Sequence, residues 1–192
     1  MIWFAHAVRT DLARYLDGRP PSVWNTLVAI FRYEGLQAML VYRFGRLLFS
    51  RKRKPWWWPV LILGVPLYAA GALYVRKCFG ISLHMSARIG AGCSILHFGA
   101  IDIRNCRLGA GCSLGQQTAI GPESGAPGPL FGDGVWIGAH STILAPVTIG
   151  DGATIAPGSR VMRNVPKRSL VVGDPARLVS RSYDNTKMHP NG

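Results

Sequence analysis

The chain has 192 residues, 48% of them hydrophobic and 16% charged, with a net charge of +13. So much apolar content excludes a disordered chain, and the length allows one main domain with a modest appendage. The positive balance suits an anionic small molecule or an anionic lipid surface, and no nucleic acid partner is expected because no basic stripe carries interleaved aromatics.

Residues 1–80 read as a helical N-terminal region. MIWFAHAVRTDLARYLDG begins apolar but soon turns amphipathic and acidic, without the small-residue cleavage site of a secretion signal. Four cysteines (Cys78, Cys93, Cys106, Cys112) lack CxxC pairing, so reduced thiols in a cytoplasmic protein are expected. GRPP at 18–21 is a break. SVWNTLVAIFRYEGLQAMLVYRFGRLLFS then carries apolar residues at helical spacing, with an interruption at Glu34-Gly35.

After the basic run RKRK at 51–54, no charge occurs from Pro55 to Val75, and Arg76-Lys77 closes the stretch. Its length is close to the roughly 20 apolar residues of a spanning helix. Pro59 and Pro66 inside it, positive charge at both ends and tryptophans gathered at one end argue against a simple crossing. Residues 55–77 are therefore read as an interfacial or re-entrant membrane attachment at the inner face of the membrane, with RKRK against anionic headgroups. Packing on the rest of the protein or on neighbouring subunits, and a true crossing, are the alternatives.

From Ile81 the pattern changes. Aliphatic or aromatic residues fall at Ile89, Ile95, Ile101, Leu108, Leu114, Ile120, Phe131, Ile137, Ile143, Ile149, Ile155 and Val161, six apart within each block. Four positions after several of them sits a small residue: Cys93, Cys112, Thr118, Ser141, Ala153, Ser159. A period this short signals a parallel β-helix, each unit giving a strand and a turn and three units closing a coil. The expected fold is mainly β, a β-helix of hexapeptide repeats over 81–180, with the N-terminal α-helical region before it and 181–192 as a flexible tail. No unit buries its apolar face alone, so stacking supplies the stability. The register makes Cys93 and Cys112 corner residues, and Cys78 and Cys106 are read as packing.

His97, in CSILHFGAIDIRN, falls off the inward-facing position, so the repeat has no need of it. An imidazole, with an ordinary pKa of about 6.5, is matched to general-base work near neutral pH. A structural histidine in an inactive coil is the plainer reading. His84 is read as structural or near the site, His140 as a coil-surface residue, and His6 and His189 as terminal. No closely spaced histidine pair suggests zinc, so no metal is expected.

GVWIGAHSTILAPVTIGDGATIAPGSRVMRNVP followed by VVGDPAR resembles the coils and closing segment of hexapeptide-repeat acyltransferases. ISLHMSARIGAGCSILHFGAIDI, with TDLARYLDGRPP and YEGLQAMLVYRFGRLL before it, is similar to the serine O-acetyltransferase branch, including the Tyr42-Arg43 pair. The short length and the hydrophobic helix before the first coil look most like the colanic acid and polysaccharide acetyltransferases of that branch. The resemblance implies a left-handed β-helix, a homotrimer and an acyl-CoA, acetyl-CoA first, in the groove between subunits. It also places His97 on the family's catalytic histidine.

Carried over by position, the resemblance puts Ala139 on a small pantetheine contact, Pro157 where the family has alanine, and Gln116 on a glutamine near the site. Arg163, Lys167, Arg168 and Arg177 offer charge to the CoA phosphates, though each alone suits a solvated surface. On the acceptor side the pattern is lost. The family's aspartate before the histidine is Leu96 here, and its aspartate fifteen residues earlier is Ser82. The loop GPESGAPGPLFGDG lacks the family's arginine–histidine pair, and Gly18-Arg19-Pro20 lacks its aspartate. An amino acid without matching charges binds poorly. The expected activity is thus O-acetylation of a saccharide hydroxyl, a surface polysaccharide precursor, by acetyl-CoA. A divergent serine O-acetyltransferase and a non-catalytic scaffold at the membrane are the alternatives.

Overall fold

The computed structural model describes residues 2–16, 18–51, 55–97, 99–122 and 126–189. Most of the basic run, residues 52–54, and the last three residues of the tail lie outside them. Helices come first in the chain: α1 (Ile2–Ala13), α2 (Val23–Arg32), α3 (Glu34–Ser50) and α4 (Trp58–Phe79). Ser22 caps α2 by accepting the Asn25 N–H on its hydroxyl. The interruption expected at Glu34-Gly35 falls one residue earlier, because Tyr33 is extended and Glu34 already opens α3. Gly35 is where α3 crosses the coil: a Cβ there would collide with the Ile95 carbonyl.

Short strands then wind upward. The first coil holds β1 (Ile81–Leu83), β2 (Arg88–Ile89) and β3 (Ser94–Ile95). The second holds β4 (Ile101–Ile103), β5 (Arg107–Leu108) and β6 (Ser113–Leu114). The third holds β7 (Ala119–Ile120), β8 (Leu130–Phe131) and β9 (Trp136–Ile137), and the fourth β10 (Thr142–Ile143), β11 (Thr148–Ile149) and β12 (Thr154–Ile155). Strands stack in parallel into three faces, β1-β4-β7-β10, β2-β5-β8-β11 and β3-β6-β9-β12. The third face continues through β13 (Leu170–Val172) and ends on the antiparallel β14 (Arg177–Ser180). All twelve residues of the six-residue register are buried, and so are the six small corner residues.

Burial pushes the Cys93 thiol well above the ordinary range, Cys106 to about 12 and Cys112 to about 11. Cys78, expected to pack, is instead exposed on α4. Thiolate, not thiol, is the nucleophile, so iodoacetamide on the native protein near pH 8 should modify Cys78 and spare the other three. Peptide mass spectrometry reads this directly, and rapid labelling of Cys93 would contradict the buried corner.

The helices finish the lower end of the coil. Among the described residues no strand lies beneath β1–β3, so their downward-facing backbone groups need other partners. Tyr15 Oη accepts the Ile95 N–H at 2.8 Å. Tyr42 Oη donates to the Ala87 carbonyl at 2.8 Å and accepts the Ile89 N–H at 3.2 Å. Arg43 donates to the Ile89 and Gly90 carbonyls and pairs with Asp11 at 2.8 Å, both side chains fully buried. Asp11 also accepts the Gly92 N–H at 2.7 Å. The Tyr42-Arg43 pair thus joins the helical layer to the coil.

One expectation is corrected and one alternative narrowed. Within a single chain, segment 55–77 is not packed away: Gly64 and Val75 are the only buried residues of α4. Residues 181–189 are not free: Asn185 is buried and donates to the Gly134 carbonyl at 3.1 Å, and the His189 ring touches Ser113 Oγ at 2.8 Å.

Candidate active site

The ladder assigns each turn residue a place. Leu96, Gly115, Gly138 and Ala156 donate their N–H groups to the Leu114, Ile137, Ile155 and Val171 carbonyls, so these four form one column. One residue later comes His97, Gln116, Ala139 and Pro157, a second column along the corner between the β3 and β1 faces. Rungs are about 4.8 Å apart, so this column runs about 14 Å from His97 to Pro157. Arg177, on β14, pairs with Val172 and extends the far end of the same corner. The structure therefore brings together five residues read separately in the sequence.

Arg163, Lys167 and Arg168 are not part of this group. Arg163 lies between the Thr142–Arg160 and Ile149–Val165 bridges, at another corner. Lys167 and Arg168 lie between Val165 and β13, at the third corner. A strand of the triangular coil separates each pair of corners, so proximity in sequence does not gather them.

His97 is exposed, and among the described residues nothing hydrogen-bonds its ring. The chain turns from His97 straight into β4, with the Gly99 N–H donating to the Phe79 carbonyl at 2.9 Å and the Ile101 N–H to Gly80. Ser82 and Asp102 then sit in register on the outward side of this face, one rung apart. Asp102 was missed in the sequence because the family pattern looks fifteen residues before the histidine, not five after it. It pairs closely with Arg104, and His84 Nε2 stands 3.4 Å from its Oδ1, without hydrogen-bond alignment.

For an oxyanion, the Gly138-Ala139 pair offers one free backbone donor. The Gly138 N–H is taken by the Ile155 carbonyl, leaving that of Ala139 as the donor among the described residues. His140 is exposed at φ +61°, as a coil-surface residue. A histidine–serine contact lies elsewhere. His189 Nδ1 faces Ser113 Oγ at 2.8 Å and Arg14 at 3.2 Å, and Ser113 is in turn 2.9 Å from Ser94 Oγ. Burial and the Arg14 charge lower the His189 pKa, but Ser113 is fully buried, so no substrate reaches it.

With this geometry in place, the relatives are informative. Residues 128–163 match the family described as bacterial transferase hexapeptide, six repeats. Serine acetyltransferase 4 of Arabidopsis thaliana is 32% identical over 182 residues, 90% of this chain but 46% of that protein. The chain spans about half the length of the Arabidopsis relatives it matches. The serine acetyltransferase of Bacillus licheniformis is 30% identical over 92% of this chain and 78% of its own length. Among solved structures, soybean serine acetyltransferase complexed with serine superposes with a TM-score of 0.72 at 29% identity, over 93% of this chain and 70% of that one. None of these supports the expected nearness to polysaccharide acetyltransferases. The chain belongs to the serine acetyltransferase family of hexapeptide-repeat transferases.

Proposed function

We propose that this chain is an acetyl-CoA-dependent O-acetyltransferase whose acceptor is L-serine and whose general base is His97. The observation that carries the reading is the column from His97 through Gln116, Ala139 and Pro157 to Arg177. It sets a base at one end of a run of compact side chains and a fixed positive charge at the other. A pantetheine arm laid along Ala139 brings its thioester to His97 and its anionic nucleotide towards Arg177. His97 takes the hydroxyl proton as the acceptor oxygen attacks the thioester carbonyl. The tetrahedral adduct collapses, and the proton passes from His97 to the departing CoA thiolate. A homotrimer with acyl-CoA between subunits is part of this proposal, and sedimentation should give three times the chain mass.

Serine rather than a saccharide is supported by the names of the relatives and by serine in the soybean structure. Asp102 also changes the charge argument. The carboxylate lacking at Ser82 stands one rung above, and Arg104 beside it completes a pair opposite in sign to an ammonium and a carboxylate. Leu96 and Ser82 favour a saccharide as the second reading, since a neutral polyol needs no charged partners.

The deciding experiment is CoA release from acetyl-CoA with L-serine and with saccharide acceptors in parallel. Saturable turnover with serine is expected, and its absence beside turnover of a sugar would reverse the order. Asp102→Asn should raise the KM for serine by about 10–100-fold, as loss of one charge-assisted hydrogen bond implies, with the KM for acetyl-CoA little changed. A saccharide acetyltransferase would not respond in this way.

A further inference from the structure

Helix α4 is the part of the molecule that acetyl transfer leaves without a role. It carries no charged residue until Arg76. One side lies on α3: Tyr68 rests on Gly45, Gly64 on Leu48 and Gly71 on Val41. At 100° per residue, Gly64, Tyr68, Gly71 and Val75 occupy a band only about 60° wide. The rest of the circumference is apolar and open. Ile62 is 68% exposed, Leu63 78%, Leu67 65% and Leu73 55%, with Trp58, Val60 and Tyr74 also exposed.

That distribution selects the partner. A helix that docks on another protein presents a stripe and keeps a polar side for water. Here no side of α4 is polar, so a protein covering one stripe would leave the others in solvent. A lipid phase covers all of them at once. The ends agree. Trp56 and Trp58 stand exposed at one end, with Arg51 stacked over Trp57 at 5.2 Å, and Arg76 and Lys77 close the other. Indole rings and basic side chains are the groups that settle at the boundary between headgroups and acyl chains. The net charge of +13 favours an anionic leaflet.

The packing also excludes a crossing. The opposite side of α3 is fixed to the coil through Tyr42 and Arg43, so α4 cannot thread a bilayer without drawing the coil into it. We infer that α4 lies in the plane of an anionic membrane surface, its outer sides among the upper acyl chains, and holds the β-helix on that surface. This rests on α4 alone and stands whether or not the acceptor is serine.

The test is flotation of the full chain with vesicles of phosphatidylcholine, with and without phosphatidylglycerol, together with Leu63→Glu/Leu67→Glu. Both leucines are exposed, so circular dichroism and melting should be unchanged. The wild-type chain should float with the anionic vesicles and less with neutral ones, and the variant should bind at least about tenfold more weakly. Failure of the wild type to float, or equal binding by the variant, overturns the inference. So does a variant whose only change is a smaller assembly by sedimentation, since a second copy of the chain would then be the occupant.

Discussion

His97→Ala should lower CoA release from acetyl-CoA in the presence of acceptor by about 10²–10⁴-fold, the usual worth of a positioned general base. The ring is exposed and makes no hydrogen bond among the described residues, so the melting temperature should stay at the wild-type value. That separation of activity from stability makes the substitution diagnostic. A structural histidine would move melting and leave turnover. A scaffold without catalysis would show no acceptor-dependent CoA release in either protein. Unchanged turnover in the variant would remove His97 from the mechanism and with it the meaning of the corner column.

Arg43→Ala carries the largest expected effect on stability. It leaves the Asp11 carboxylate buried with its Gly92 hydrogen bond but no counter-charge, and strips partners from the Ile89 and Gly90 carbonyls. Breaking a buried pair from one side costs about 3–5 kcal/mol. At about 2–4 °C per kcal/mol for a chain of this size, melting should fall by roughly 6–20 °C. Asp11→Ala should behave alike, and the double variant should lose less than the two single losses combined, because no lone charge stays inside. Additive losses would mean that the pair contributes through packing alone.

The coil was legible because its signal is redundant. Twelve core positions repeat one pattern, and a misreading at any one would be corrected by its neighbours in the stack. The corner column was legible residue by residue, but its unity was not, since Gln116, Ala139 and Pro157 reach His97 only through coils of unequal length. The loop before β8 adds five residues to the register, which hides the alignment from simple counting. The placement of the basic set was hidden for the converse reason: Arg163 and Lys167 are close in sequence, and the triangular section of the coil parts them within one chain. Asp102 was hidden because a comparison along the chain sees five residues, while the rung places it directly over Ser82. For α4, composition gave the apolar stretch, and the packing of α3 on the coil adds to the internal prolines a second, independent argument against a crossing.

The Tyr15, Tyr42, Arg43 and Asp11 contacts at the first rung have a consequence beyond stability. A stack of identical rungs has no intrinsic stopping point, and its last backbone row is a template for the same row of another molecule. Side chains that accept and donate at that row remove the template without adding a strand. At the other end β14 runs antiparallel to β13, so the next row there has the wrong polarity to continue a parallel stack. The two ends are terminated by different means, one by side chains and one by a reversal of direction. Arg43→Ala therefore does more than remove a charge: it uncovers the Ile89 and Gly90 carbonyls at the row that Tyr15 and Tyr42 otherwise close.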